Sequence, residues 1–588
     1  MRLEDLGLVG NCQYSALIDR TGSVVWCCLP RFDAEPIFGS LLDEAHGGSF
    51  AIGPADGRAG TQRYQENSNV LETWFETPEG TFRVIDFAPR FQLHGRMFRP
   101  TQLYRLIDPV SGAPRVSVRC SPRLGWSKKE PLKEWGSHHL RFEGYPAQVR
   151  LTTDLPLSYL DGRPFSLTER RRMVLTWGAP IEEPLGPLCE RFLSETSGYW
   201  QTWVKHCDVP PLYQKEVIRS ALALKLHCFE DTGAIIAAMT TSLPESAGSG
   251  RTWDYRYCWL RDAYYSLGAF RLLGQFEERE QFTRFLLDVA GGAPDLQLAP
   301  LYRIDGGSDL AETTLMHWPG YEGHGPVRVG NAAAHHLQHD IFGEMVLALT
   351  PAFLDERFAV ESAKPALDLI ERLARKALAV AGTPDAGIWE YRTASEPQTF
   401  SSLMCWAAAD RMAAVAARHR PGVVTEFQQA AKHLHSEIVG RSWSPTENSF
   451  VSRPGSTELD AALLQMVSLR FLPPTDPRLH ATVDAIARIL GQDGWLLRYR
   501  NDDGFGKPTV AFIICMFWLI EALVRLNRHS EADAAMQRAR AALSPLGLLS
   551  EDYETSERRL WGNFPQAYSH VGLIHAAFAA SPSWAEIL

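Results

Sequence analysis

The sequence predicts two folded units, an N-terminal antiparallel β-sandwich followed by an (α/α)6 barrel of helical hairpins. The chain has 588 residues, which is more than one ordinary domain contains. Short strands and turns run to about Arg172, and about a dozen helical segments follow Leu212. We therefore predict a sandwich domain at 1–180, a helical linker at 181–210 and a barrel at 211–588.

Turn residues at short spacing predict the strands of the sandwich. Ser15–Ile18 and Ser23–Cys27 flank the turn Asp19–Gly22, which is the pattern of a β-hairpin. Apolar and polar residues alternate at Leu140–Phe142 and Val149–Leu151, as in half-buried strands. Prolines at 180, 184 and 187 end this pattern. A helical stretch follows them and is interpreted as the linker.

The barrel prediction rests on helical periodicity and on the lengths of the connections. Val217, Ala221, Leu224 and Cys228 share one helix face. The predicted helices are 212–230, 262–274, 277–290, 331–349, 358–380, 400–418, 424–439, 458–470, 478–490, 509–527, 530–543 and 565–580. Every second connection is long: 231–261, 291–330, 381–399, 440–457, 490–508 and 544–564. Hairpins stacked in a ring place these six at one mouth, where we expect the functional site.

Composition excludes several classes of function. A net charge of −10 and a pI near 6.0 argue against a nucleic-acid partner. The sequence has no run of eighteen apolar residues, so no membrane span is expected, and its start does not resemble a signal peptide. Ten cysteines without a CxxC motif fit reduced thiols, so we predict a cytoplasmic protein.

The stretch from Arg251 to Asp262 is the centre of the predicted site. From Trp253 onward it holds two Trp, two Tyr, two Arg and two Asp within ten positions. Aromatic faces beside bidentate hydrogen-bonding groups suit a sugar ring. A buried Arg–Asp network that caps a core helix explains the same residues equally well.

Glu390 is the candidate general acid. It lies between Trp389 and Tyr391 in one of the long connections. A carboxyl group packed against an indole loses hydration of its charged form, which suits proton donation near neutral pH. The alternative is that Glu390 pairs with Arg392 or another arginine and only caps the helix that follows.

A second carboxylate is expected from the segment GLLSEDYE, residues 547–554. Spacing alone does not separate Glu551, Asp552, Glu554 and Glu557 as the group that activates water. In the alternative, Ser550 is an N-cap and Glu551 or Asp552 its capping-box partner. Two carboxylates about 6.5–9.5 Å apart leave room for a water molecule and invert the anomeric centre of a glycoside.

Other residues of the long connections are weaker candidates, because ordinary loop packing explains each of them as well. They are Arg498, Arg500, Asp502, Asp503, His317, Trp318, Trp561, Arg328 and Asn331. His335 and His339 are four apart on a predicted helix, but no HExxH motif is present and we predict no metal. No dinucleotide or P-loop motif occurs, and no cofactor is predicted.

Several motifs together resemble glycoside hydrolase family 15, the glucoamylase-like proteins that include bacterial trehalases and α-glucosidases. The motifs are 4–13, 26–33, 240–245, 253–262, 326–331, 387–390 and 562–570. Of these, WDYRYCWLRDA is highly specific, whereas GIWE alone is weak. The resemblance implies a β-sandwich, a linker and an (α/α)6 barrel.

The resemblance also implies exo-acting, inverting release of β-glucose from a non-reducing end. It makes Glu390 the general acid and Glu551 the general base. The substrate-binding residues predicted with it are Arg261, Asp262, Trp253, Trp318, Trp389, Arg498 and Trp561. Ser402–Leu403 replaces the Ser-Lys of many bacterial members, and His335 and His336 replace Tyr and Gln. The side that binds the leaving group therefore differs, and α-1,1, α-1,6 and α-1,4 linkages all stay open.

We accordingly predict an inverting α-glucoside hydrolase acting on isomaltose- or maltose-type oligomers or trehalose. A small α-glucoside is the predicted partner, and a homo-oligomer is left open. One rival is an inverting phosphorylase, which needs an acid but no carboxylate base. The other is a non-catalytic sugar-binding protein, which binds sugar without turnover.

Overall fold

The N-terminal part of the molecule is a sandwich of two antiparallel sheets. The computed structural model describes residues 1–357, 364–393 and 395–588. The strands of this part are β1 Gly7–Gly10, β2 Ser15–Ile18, β3 Ser23–Cys28, β4 Pro36–Phe38, β5 Ser49–Pro54, β6 Thr61–Tyr64, β7 Leu71–Thr77, β8 Gly80–Phe87, β9 Phe91–Leu93, β10 Arg96–Phe98, β11 Gln102–Gly112, β12 Arg115–Ser121, β13 Leu132–Trp135, β14 His139–Glu143, β15 Val149–Thr153, β16 Phe165–Ser166 and β17 Arg171–Trp177.

The two sheets have simple neighbour orders. One sheet runs β1-β2-β3-β5-β12-β16, with β4 paired to β3, and the other runs β13-β14-β15-β17-β11-β8-β7-β6. Strands β9 and β10 form a separate hairpin. Alternate residues of facing strands, such as Val118 and Phe82, are fully buried, because each sheet turns one apolar face inward.

A long helix follows the last strand of the sandwich. Helix α1 covers Leu185–Lys205 and buries Leu188, Phe192, Trp200 and Trp203, which recur at helical spacing. Phe192 packs edge-on against Phe91 of the sandwich, with ring centroids 5.1 Å apart. The predicted linker is therefore helical and lies against the sandwich.

The remaining helices form two layers. They are α2 Gln214–Leu226, α3 Leu260–Leu272, α4 Glu277–Gly291, α5 Asp340–Leu354, α6 Lys364–Val380, α7 Thr399–His419, α8 Val424–Ser442, α9 Gln465–Ser468, α10 Pro477–Ile489, α11 Ile513–Arg525, α12 His529–Ala539, α13 Ala567–Ala580 and α14 Trp584–Ile587. In the inner layer α3 contacts α5, α5 contacts α7, α7 contacts the 3-10 turn Ala461–Leu464 that leads into α9, α9 contacts α11, α11 contacts α13, and α13 contacts α3. The ring of six inner elements confirms the predicted barrel.

Two predicted helices begin more than four residues later in the structure. The helix predicted at 331–349 begins only at Asp340, because Asn331 caps a 3-10 turn at Ala332–His335 and His336 is extended. The helix predicted at 458–470 is a 3-10 turn followed by the short α9, because Arg470 adopts a positive φ of 61° and two prolines follow. Of the helix predicted at 358–380, the first six residues lie outside the described residues.

Short two- and three-stranded ladders stiffen the connections between the helices. They comprise β18 Cys228–Phe229, β19 Ala234–Ile235, β20 Cys258–Trp259, β21 Leu301–Tyr302, β22 Thr313–Leu315, β23 Val327–Val329, β24 Pro384–Asp385, β25 Glu396–Pro397, β26 Trp443–Ser444, β27 Ser449–Phe450, β28 Gly491–Gln492, β29 Trp495–Leu496, β30 Ala511–Phe512, β31 Asp552–Glu554 and β32 Arg559–Trp561. Across the described ranges, no helix is long and apolar enough to cross a membrane.

Candidate active site

A cavity lies at the end of the barrel where the inner helices begin. Its water-accessible volume is about 80 Å³, and its lining combines aromatic and charged side chains, as in sites that bind polar small molecules. The long connections 231–261, 381–399, 490–508 and 544–564 supply most of its lining, together with the first residues of α3 and α13 and with Phe512, which precedes α11. The predicted mouth of the barrel is therefore where the cavity opens.

Glu390 lines this cavity from a tight turn. Its backbone N–H donates to the Gly387 carbonyl over 3.1 Å, and both residues have positive φ, 67° at Gly387 and 60° at Glu390. A left-handed backbone at a non-glycine residue costs about 1–3 kcal/mol, and such strain concentrates at functional sites. The turn directs the Glu390 side chain, which is 19% exposed, into the cavity.

The contacts of Glu390 differ from the prediction in one respect. The indole that touches its carboxylate is Trp259, whose Nε1 donates to Oε1 over 2.6 Å. The sequence neighbour Trp389 instead donates its Nε1 to Asp460 Oδ1 over 2.8 Å. Glu390 also has an arginine partner, as the alternative prediction required. This partner is Arg261, whose Nη1 lies 3.3 Å from Glu390 Oε1.

Of the four carboxylates considered near residue 551, Glu551 is the one that lines the cavity. Asp552 is buried, Glu554 accepts a hydrogen bond from Trp561 Nε1, and Glu557 is exposed. A strand rather than a helix follows Ser550, so the alternative in which Ser550 is an N-cap is wrong. Burial and the neighbouring charge of Glu245 raise the pKa of Glu551 to about 8.

Two aromatic side chains connect Glu551 with Glu390. Tyr255 donates its hydroxyl hydrogen to Glu551 Oε1 over 2.7 Å. The Tyr255 ring packs edge-on against Trp259 at 5.2 Å between centroids, and Trp259 donates to Glu390. The Tyr255–Trp259 pair therefore fixes both carboxylates on the wall of one cavity.

Arg261 and Asp262 lie at the start of α3, on the floor of the cavity. Arg261 Nε donates to Asp262 Oδ1 over 3.1 Å, and its Nη1 donates to the Ile388 carbonyl over 2.5 Å. Burial raises the pKa of Asp262, and the charge of Arg261 opposes that shift. The pair is held rigidly and offers polar groups for sugar hydroxyls.

A second ion-pair network holds Arg498. Its Nη2 donates to Glu245 Oε2 over 2.7 Å, and Arg251 lies 3.7 Å from the same carboxylate. Arg251 in turn forms a bidentate pair with Asp503, with both distances 2.7 Å. Bidentate pairs of this kind fix the orientation of the guanidinium groups before a ligand binds.

Two tryptophans predicted to bind substrate line the cavity. Trp253 lies under the Arg392 guanidinium, 4.2 Å from its ring centroid, and Trp389 packs against Phe512 at 5.5 Å. Both are half-buried. Trp253 and Trp389 are therefore the two predicted tryptophans that the structure places on the wall of the cavity.

Trp318 and Trp561 were also predicted to bind substrate, but neither side chain lines the cavity. Trp318 is buried against the sandwich domain, where its Nε1 donates to the Trp126 carbonyl over 2.9 Å. Trp561 is buried beside Tyr321, and its Nε1 is bonded to Glu554. Both tryptophans fill contacts between loops. His317, too, bonds to Trp126, away from the cavity.

The histidines before α5 do not lie on one helix face as predicted. His335 ends a 3-10 turn, while His339 is the N-cap of α5 and donates its backbone N–H to Asp385. Burial lowers the pKa of both His336 and His339. Among the described residues, no group of three or more His, Cys, Asp or Glu is placed to hold a metal ion.

Sequence reasoning assigned no role to several residues that shape the cavity. Tyr255 and Trp259 belong to the stretch identified as its centre, but their individual contacts depend on loops far away in sequence. Glu245 lies in a motif noted only for the resemblance, and Arg392 appeared only as an alternative partner of Glu390. The sequence could have indicated these residues only because they lie in the motifs named above. Their contacts with the two candidate carboxylates or with Trp253 depend on the fold.

Comparisons with known proteins agree with this geometry. The family described as glycosyl hydrolases family 15 matches residues 211–543, and the one described as trehalase-like, N-terminal matches residues 1–152. A trehalase of Mycolicibacterium smegmatis is 34% identical over 98% of this chain and 90% of its own length. A trehalase of Thermoplasma volcanium is 31% identical over 97% and 92%.

A solved structure shares the fold. A bacterial glucoamylase complexed with acarbose matches with a TM-score of 0.65 at 13% identity. The match covers 98% of this chain and 93% of the glucoamylase chain. At this identity the likeness concerns the arrangement of the sandwich and the barrel, and it agrees with the fold class that the sequence predicts.

Proposed function

The chain belongs to glycosyl hydrolase family 15, and we propose that it hydrolyses trehalose with inversion. Membership of this family confirms the predicted family and the predicted glycosidase class. Proteins named trehalase that align with nearly the whole chain support trehalose over isomaltose and maltose. The observation that carries the proposal is the placement of Glu390 and Glu551 on one cavity, joined through Tyr255 and Trp259.

The proposed reaction uses the two carboxyl groups in opposite proton transfers. Glu390 gives its proton to the glycosidic oxygen as the bond from that oxygen to the anomeric carbon breaks. Glu551 takes a proton from a water molecule that attacks the opposite face of the same carbon. One glucose leaves with its α-configuration intact, and the attacked glucose becomes β.

The floor of the cavity supports binding of the attacked glucose. Arg261, Asp262 and Arg498 are each held by charged partners and present polar atoms to the cavity. Preorganised polar groups bind hydroxyls without a further ordering cost. Trp253 and Trp389 supply apolar surface for the C–H faces of the sugar.

The proposal is tested by incubating the protein with trehalose, maltose and isomaltose, with and without inorganic phosphate. We expect glucose from trehalose at a rate that does not depend on phosphate. Glu390→Gln and Glu551→Gln should each lower kcat by about 10²–10⁴-fold, the range for loss of a general acid or base. A strict phosphate requirement with full activity of Glu551→Gln would indicate a phosphorylase, and tight binding without turnover a sugar-binding protein.

A further inference from the structure

The charged residues of the cavity differ in their exposure to solvent. We call the position of the most buried ones the floor and that of the most exposed ones the rim. The side chains of Asp262 and Arg498 are 4% and 7% exposed. Exposure rises to 19% at Glu390 and to 26% at Arg392. Glu390 therefore lies between the floor, which would hold the attacked glucose, and the rim at Arg392, where the leaving glucose would extend.

Arg392 is well placed to donate hydrogen bonds at this rim. Its guanidinium stacks over Trp253 at 4.2 Å and lies 5.4 Å from the Phe505 ring. Within the described ranges, its one hydrogen bond is from Nη2 to Glu312 Oε2, at 3.0 Å. A guanidinium carries five N–H groups, so most of its donors remain for a ligand.

Glu312 is fixed by further contacts and so fixes Arg392. Its Oε2 also accepts from the Ala332 backbone N–H over 3.1 Å, and its Oε1 lies 3.4 Å from Arg328 Nε. Arg328 donates its Nη1 to the Thr252 carbonyl over 2.8 Å. The guanidinium groups of Arg328 and Arg392 lie 4.6 and 4.2 Å from the centroid of the Trp253 ring, so both are packed against it.

We propose that Arg392 binds hydroxyl groups of the leaving glucose and that Glu312 positions Arg392 for this contact. The proposal rests on the hydrolysis proposed above and names the residues that recognise the second sugar of the substrate. It makes Arg392 a specificity residue and Glu312 a positioning residue. A substrate without a leaving sugar does not use either.

The test compares trehalose with α-glucosyl fluoride, whose leaving group is a single fluoride ion. Arg392→Gln should lower kcat/KM for trehalose by about 10–100-fold, because hydrogen bonds to a charged group are lost. The same variant should change kcat/KM for α-glucosyl fluoride less than threefold. Glu312→Gln should raise KM for trehalose severalfold and leave the constants for the fluoride unchanged.

A matched control is available in Arg500, an exposed arginine outside the cavity that donates to the Ile489 and Gly491 carbonyls. Arg500→Gln should leave both substrates unaffected. Equal losses on both substrates in Arg392→Gln, or no loss on either, would overturn the proposal. Failure of the proposed function is distinguishable, because the unsubstituted protein would then release no glucose from trehalose.

Discussion

Tyr255 donates its hydroxyl hydrogen to Glu551 Oε1 over 2.7 Å, and Glu551 itself is only 2% exposed. The bond favours the ionised form of Glu551, which is the form that accepts a proton from water. Burial and the charge of Glu245 act in the opposite direction and raise the pKa of Glu551 to about 8. The balance between these effects decides the pH range in which Glu551 can act as a base.

The first prediction concerns the pH dependence of the unsubstituted protein. Because Glu551 must be ionised to act, kcat/KM for trehalose should fall as pH decreases through the pKa of this group. Since that pKa is raised, the acidic limb should lie well above pH 4.3, the ordinary value for glutamate. A pH–rate profile from pH 4 to 10 measures it. An acidic limb at or below the ordinary value would contradict this assignment.

The second prediction concerns Tyr255→Phe. The substitution keeps the ring and its contact with Trp259 but removes the hydrogen bond that lowers the pKa of Glu551. The acidic limb should therefore move to higher pH, and kcat at neutral pH should fall by about tenfold, which corresponds to about 1.4 kcal/mol. A limb that stays in place, with an unchanged rate, would show that the bond has no part in catalysis.

The third prediction concerns stability. Burial, with a smaller effect of Asp385, raises the pKa of Asp340 to about 7. Between the unfolded pKa near 3.9 and this value the folded protein binds more protons than the unfolded chain, so Asp340 destabilises the fold increasingly as pH rises, by about 1.4 kcal/mol per unit.

Asp340→Asn removes this ionisation. At pH 4 the variant should differ little from the unsubstituted protein, because the folded acid is protonated and the unfolded acid is only about half ionised, an effect of about 0.5 kcal/mol. At pH 8 it should be more stable by about 2 kcal/mol or more. Thermal unfolding at the two pH values measures both. A variant that is less stable at pH 8 would show that Asp340 is ionised there and has a cationic partner.

The fourth prediction compares two tryptophans. Trp389→Phe removes the hydrogen bond to Asp460 beside the candidate acid, so kcat/KM for trehalose should fall by about tenfold or more. Trp318→Phe removes a hydrogen bond to Trp126, away from the cavity, and should leave kcat/KM unchanged while lowering the unfolding temperature. Steady-state rates and a melting curve for each variant test the pair, and a loss of activity in Trp318→Phe would contradict the position of Trp318 outside the substrate-binding cavity.

The site residues predicted from the sequence lie in contiguous motifs, in the first turns of inner helices or in the connections that precede them. Arg261 and Asp262 lie in the first turn of α3, and Glu390 ends a glycine-containing turn in the connection that precedes α7. Helical periodicity and the alternation of long connections were sufficient to place these loops at one mouth. Local pattern therefore predicted the architecture and the position of Glu390 on the cavity, and the role of Glu390 as the acid stays a prediction.

Contacts between distant loops were not predictable in the same way. Trp389 is adjacent to Glu390 in sequence, yet the positive φ at Glu390 belongs to a turn in which its carboxylate meets Trp259 instead. Trp318 and Trp561 carry aromatic rings in the expected loops, but their indole N–H groups find partners on neighbouring loops and the rings are buried there. Residue type identifies such side chains as candidates, and only packing decides which face the cavity.

We propose that Glu390 and Glu551 act on opposite sides of one anomeric carbon, with a water molecule between that carbon and Glu551. Proton NMR of the sugars formed in the first minutes of trehalose hydrolysis, before mutarotation, tests it most directly. Inversion predicts α- and β-glucose in equal amounts, one from each half of the disaccharide. Formation of α-glucose alone would mean that configuration is retained, and would contradict the roles given to both residues.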